Sequence, residues 1–181
     1  MEKEIWDFDE NLNYITVNIQ GINYYVINKF SNYYTAAKIL HRIRYVINHI
    51  SLYFIFNYYN YNAKEQILID CFCDIHPNNY ILSEMQLGTK FYGLNKPRNI
   101  YKSNKPPIGP DNSDRASYRN VFLTLRKKNG TFNPWNKIIK LVIHEITHTM
   151  CNHIRWRDDD HGKDFKRAHK IIKTAYKKSF S

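Results

Sequence analysis

Cysteine is scarce in this chain of 181 residues, with three in all, at Cys71, Cys73 and Cys151. An odd number without regular spacing excludes a disulfide framework, and Cys71 with Cys73 supplies too few ligands for a zinc finger. The thiols read as free, in a reducing compartment. Acidic residues are also few, 16 against 27 Lys and Arg, for a formal net charge of +11. Such an excess suits a polyanionic partner (nucleic acid, an acidic protein, an anionic membrane) or else a solvated cationic surface. Long apolar runs are missing. The most apolar stretch, residues 39–56, is interrupted by His41, Arg42, Arg44, Asn48 and His49, which excludes a membrane span. The opening MEKEIWDFDE lacks the apolar core of a secretory leader. The expectation is an intracellular protein, cytoplasmic or nuclear, with no membrane partner. There are no internal repeats, and the length fits one domain, with or without an N-terminal appendage.

What the chain has in abundance is aromatic side chains, 15 Tyr and 10 Phe, and enough apolar residues for a sizeable core. Residues 1–11 read as a loose acidic tail. The alternation from Tyr14 to Ile19, then Gln20-Gly21, then Tyr24 to Ile27 predicts a hairpin. Ala36, Ala37, Leu40, Ile43, Ile47 and Ile50 recur at helical spacing, predicting a long amphipathic helix over 32–54 with Arg42, Arg44 and His49 on its outer side. A second helix is expected over 63–73. Residues 88–119, rich in Gly, Pro, Asn, Lys and Arg, carry mostly loop chemistry with strand-like pieces. Residues 120–126 read as a strand. Asn133 reads as an N-cap with Pro134 at the first helical position, opening a helix to about Cys151. A final basic helix is expected over 163–177.

The third helix holds His144-Glu145-Ile146-Thr147-His148, an H-E-x-x-H pattern. Four residues along a helix bring the two imidazoles to within about 40° of each other, one turn apart, so both reach one ion. Glu145 stands beside them, where a carboxylate can take a proton from a metal-activated water as it attacks a carbonyl. The plain alternative is two histidines on an ordinary helix. A catalytic zinc needs a third protein ligand. His153 lies nine residues past His144, on the opposite face of a continuous helix. His161 follows His148 with twelve residues between, room for a loop to fold back, and Gly162 permits close approach. His161 is therefore the third candidate, with Asp158, Asp159 and Asp160 as outsiders.

The extended pattern, His144-Glu145-x-x-His148, twelve residues, His161-Gly162-x-x-Phe165, resembles the SprT-like and WLM group of zinc metallopeptidases. That group includes the Spartan-type proteases that degrade proteins crosslinked to DNA. From about Asn120 to Phe165 the chain is also similar to WLM-type proteins of large DNA viruses. The resemblance implies an α+β zincin-like fold, with N-terminal helices, a small mixed sheet, the H-E-x-x-H helix and a C-terminal helix. It implies Zn2+ as the cofactor, held by His144, His148 and His161, with Glu145 as the catalytic residue. It also implies a domain over 31–181 following the tail and hairpin of 1–30. The substrate would be protein, and DNA a candidate partner. A Cys-rich zinc ribbon, which many SprT-like proteins use for DNA, is absent.

Secondary candidates come with plainer alternatives. Zinc peptidases of this build bind an extended peptide along an edge strand, which points to Leu123, Thr124 and Leu125 in the strand over 120–126, with Tyr118 preceding it; an ordinary internal strand fits as well. Arg115, Tyr118 or Arg119 are candidates to polarise an oxyanion, and each also suits a surface role. Asp158–Asp160 suit imidazole orientation or helix capping, and Trp156 suits pocket shaping or packing. Lys96, Arg98, Lys102 and Lys105, with Tyr92 and Tyr101 among them, and Lys163, Lys166, Arg167, Lys170, Lys173, Lys177 and Lys178 suit phosphates or a solvated face. His41, His49, His76 and His169 have no ligand spacing. The expected activity is a zinc-dependent endopeptidase. Its rivals are a processing peptidase without DNA and a catalytically silent zinc-containing binding module.

Overall fold

The computed structural model describes residues 14–85, 93–98, 118–151 and 161–180. Strands β1 (Tyr14–Ile19) and β2 (Ile22–Ile27) form the expected hairpin, antiparallel from Tyr14↔Ile27 to Ile19↔Ile22. Gln20 and Gly21 both take positive φ, 52° and 79°. That conformation matches the twist of a two-residue hairpin and suits glycine. Asn18 braces the turn by accepting from Gly21 N at 3.1 Å and donating to Asn23 Oδ1 at 2.8 Å.

Helix α1 (Tyr33–Asn57) buries the stripe read from the sequence, with Ala36, Ala37, Leu40, Ile43, Ile47 and Ile50 all at 0 % exposure. Arg42 is exposed, its guanidinium over the Trp135 ring. Arg44 corrects the expectation of an outer position. It is buried, donating to the Tyr24 hydroxyl at 3.0 Å and to the carbonyls of Pro77 and Tyr80, both at 2.5 Å. A guanidinium is tolerated there because these acceptors replace water. Helix α2 (Ala63–Cys73) starts at a capping box: Asn62 accepts from Glu65 N, and Glu65 accepts from Asn62 N.

Strands β3 (Tyr80–Glu84), β4 (Gly93–Arg98) and β5 (Tyr118–Leu123) complete a five-stranded mixed sheet in the order β1-β2-β3-β5-β4. β2, β3 and β5 run parallel, and β1 and β4 are the antiparallel outer strands. This order corrects the edge-strand reading of β5. Leu123 is in register with Glu84 on one side and Gly93 on the other, and its carbonyl also accepts from Met85 N. Leu123, Thr124 and Leu125 are 0 %, 3 % and 0 % exposed, and the carbonyls of Thr124 and Leu125 accept from Asn133. Among the described residues, β5 is therefore an internal strand.

Helix α3 (Trp135–Met150) lies over β5 and β4, and α4 (Lys163–Ser179) packs on α1 and α3. The helices share one core with a sheet face made of Tyr24, Val26, Leu82, Val121 and Leu123. Pro134, not Asn133, occupies the N-cap of α3; Asn133 is instead tied to the carbonyls of Thr124 and Leu125, just past the end of β5. The fold is α+β and zincin-like, with four α-helices and a small mixed sheet among the described residues. No helix among the described residues is long and apolar enough to cross a membrane.

Buried Arg126 and Glu84 lock the end of the sheet next to the start of α1. The Arg126 guanidinium sits between the rings of Phe30 and Phe132, pairs with Glu84, and donates to Asn32 Oδ1 at 2.8 Å. Glu84 also accepts from Ile27 N at 3.0 Å. The turn after Arg126 is held by Gly130, at φ +82°, where a Cβ would stand 2.8 Å from Phe30 Cε1. Gly130→Ala therefore meets both a left-handed backbone and a ring. We expect it to cost about 1–2 kcal/mol from the backbone conformation alone, read as a lower urea midpoint. An unchanged midpoint would contradict this packing.

Candidate metal centre

Helix α3 turns Ile138, Ile139, Val142, Ile143, Ile146 and Met150 into the core. That placement leaves His144 and His148 half-buried on the flank facing α4, one turn apart. His161 precedes α4, whose buried face of Phe165, Ala168, Ile171, Ile172 and Ala175 docks it beside α3. The docking returns His161 to the other two. Its Nε2 lies 3.3 Å from His144 Nε2, and one ligand atom from each of the three imidazoles falls within 4.8 Å of the others.

Phe165 is the floor of this cluster. Its ring centroid lies 5.2, 4.8 and 4.6 Å from those of His144, His148 and His161. The sequence reading included Phe165 in the motif but gave it no task; here it fixes the planes of all three imidazoles. His169 stacks on its far side, 6.1 Å away, and is not part of the ligand cluster. Burial holds the His144 pKa below the usual imidazole range, and the nearby His161 and His169 act in the same direction. A neutral imidazole is the form that ligates a metal.

Glu145 is 4 % exposed, and burial pushes its carboxyl up to about 8. It packs against Gly93 of β4. Two residues along the same strand, Asn95 donates from Nδ2 to the Glu145 carbonyl at 2.5 Å and to Thr149 Oγ1 at 2.8 Å. These two strand residues went unassigned in the sequence reading because they sit in a segment with mostly loop chemistry. The available signal was the short Tyr92-Gly93-Leu94-Asn95 alternation.

The other candidates separate clearly. Arg119 is 1 % exposed and its pKa is lowered by burial, with Tyr80 and Cys71 as electrostatic partners; it offers no surface to a reacting carbonyl. Tyr118 begins β5, and Lys96 and Arg98 lie in β4. Tyr92, Tyr101, Lys102, Lys105, Arg115, His153, Trp156 and Asp158–Asp160 lie outside the described residues. Lys163, Lys166, Arg167, Lys170, Lys173, Lys177 and Lys178 are all exposed, forming the solvent face of α4. None of the three cysteines is in a disulfide, and all are half-buried.

The SprT-like family model matches residues 102–180, a stretch that contains the three imidazoles, Glu145 and Phe165. The match marks this part of the chain as a metallopeptidase-type domain. It does not extend to the finer likeness to WLM-type viral proteins. No curated protein and no solved structure matches the chain.

Proposed function

We propose that this chain, SprT-like over residues 102–180, is a zinc-dependent endopeptidase with Glu145 as its general base, acting on proteins that include those held on or crosslinked to DNA. The observation that carries the reading is the convergence of three imidazoles beside a buried carboxylate. The donor set fits zinc. It is all nitrogen, and two ligands at about 2.0–2.1 Å on a tetrahedral ion stand about 3.3–3.4 Å apart, close to the 3.3 Å between His144 and His161.

When bound, the ion supplies a Lewis acid that lowers the pKa of a water to about 7 and polarises the scissile carbonyl. Glu145, beside the three imidazoles, would be the group that accepts a proton from the attacking water and returns it to the departing amine. Burial makes its carboxylate a stronger base than an exposed one. Phe165 holds the three rings so that no ligand has to be ordered at the moment of reaction.

The peptide-docking role moves from β5 to β4, the outer strand on the α3 side among the described residues. An extended substrate pairs there through backbone hydrogen bonds, with little sequence preference. Pro97 suits an outer strand because it has no N–H to give. The cationic face of α4 and the net charge of +11 support a DNA partner.

Purified protein is expected to carry about one zinc per chain, and a chelator should stop cleavage of a denatured protein. His161→Ala should weaken zinc binding by more than the about 10–100-fold typical of losing an outer-shell partner. Full zinc occupancy in that variant at limiting metal would overturn the ligand set. DNA binding should weaken steeply between about 50 and 200 mM salt. If DNA neither binds nor stimulates cleavage, the reading contracts to a peptidase that processes a specific protein.

A further inference from the structure

We propose that β4 carries two positioning residues for the hydrolytic base: Gly93, whose missing side chain is the space Glu145 occupies, and Asn95, whose amide clamps α3 to the strand at that point. The proposal rests on Glu145 being the base and names what aims it.

A Cβ built on Gly93 would stand 2.4 Å from Glu145 Oε1, 2.8 Å from Cδ and 2.9 Å from Cγ. Three consecutive atoms of one side chain fall inside any real contact distance, so the carboxyl arm lies flat against the strand backbone. Gly93 does not take positive φ, unlike Gly21 and Gly130 among the described residues. It is needed for room and not for its backbone conformation. Glu145 is 4 % exposed, its arm enclosed by neighbouring atoms. Among the described residues the carboxylate is therefore placed by packing, and the packing partner with no side chain to yield is Gly93.

Asn95 fixes the gap. It faces α3 from the same side of β4 as Gly93, since alternate residues share a face. Its Nδ2 bonds to the carbonyl of Glu145 itself and to Thr149 one turn on. Its Oδ1 is buried without a partner, a cost that only the two donor contacts offset. The strand that pairs with substrate and the helix that carries the base are thus fastened at the catalytic residue. A shift of one moves the other.

A double-mutant cycle between Gly93→Ala and Glu145→Asp tests this, because aspartate draws the carboxylate back by one methylene and vacates the space. Zinc-loaded Gly93→Ala should lose about 10–100-fold in kcat, the scale for a displacement near 1 Å, with zinc content unchanged. KM for a denatured protein should change less than kcat, because the added methyl points at α3 and not along the backbone edge of β4. In the Glu145→Asp background the same substitution should cost less than about twofold more. Metal-free protein gives a second reading, independent of catalysis: Gly93→Ala should lower Tm, and Glu145→Asp should restore most of that loss. Additive losses in both readouts would overturn the role of Gly93. If Gly93→Ala does not fold, a folded double variant supports the proposal and an unfolded one overturns it. Asn95→Asp keeps the volume and removes the donor, so kcat should fall about tenfold with zinc retained; wild-type kcat would overturn the role of Asn95. Should wild-type protein cleave nothing, the metal-free cycle still decides the packing claim separately from the peptidase reading.

Discussion

Glu145→Gln should fold, bind about one zinc and cleave protein about 10²–10⁴-fold more slowly than wild type, the range for losing a general base. Glutamine has the same shape, so it fits the space at Gly93 without displacing α3. It cannot accept the proton that a carboxylate takes, and it is not a ligand, so metal content should not change. The same variant has a signature in metal-free protein. Burial raises the Glu145 pKa from 4.5 to about 8. An acid whose folded pKa lies above its unfolded one favours the folded state only while protonated in both states. Metal-free wild type should therefore lose stability as pH rises from about 4.5 to about 8, and Glu145→Gln should not. The two should converge at low pH in urea titrations. Cleavage by Glu145→Gln at the wild-type rate would remove the mechanism, whatever the zinc content.

The second large effect is expected outside the imidazole cluster, at Glu84 and Arg126. Both are buried, and each is the other's charge partner. Removing one partner of such a pair costs about 3–5 kcal/mol because the other is left uncompensated. In a chain of this size that is about 6–20 °C in Tm. The two single variants should not be equal. Burial already raises the Glu84 pKa more than Arg126 lowers it, so in Arg126→Ala the orphaned carboxyl escapes by taking a proton. Arg126 has no such escape, since guanidinium does not deprotonate in proteins. Glu84→Ala should be the more damaging near neutral pH, with Arg126→Ala recovering part of its loss as pH falls. Thermal melts of both variants at several pH values check this. Losses within about 0.5 kcal/mol, as at ordinary surface sites, would show that the lock carries no load.

Much of this protein was legible in its sequence wherever the rule is local. The α1 stripe from Ala36 to Ile50, the Gln20-Gly21 turn, and the one-turn spacing of His144 and His148 follow from periods and turn chemistry that span a few residues. His161 was legible for a different reason: the gap after His148 is long enough to return, and the motif continues to Phe165. Arg44 was misplaced because a helical wheel counts charge and does not see three acceptors arriving from Tyr24, Pro77 and Tyr80. β5 was offered as an edge because its covering strand, β4, lies in residues that read as loop.

By itself, then, the sequence determined which segments coil or extend, and which nitrogens and carboxylate are the candidates for a zinc site. Tertiary structure alone decided the strand order, which puts β4 and not β5 on the outside among the described residues. It also decided that Phe165 floors the three imidazoles and that Gly93 makes room for Glu145. The physical reason is range. Helical periodicity is enforced by neighbours three or four positions away, whereas Gly93 meets Glu145 across fifty-two positions, through a contact no local pattern encodes.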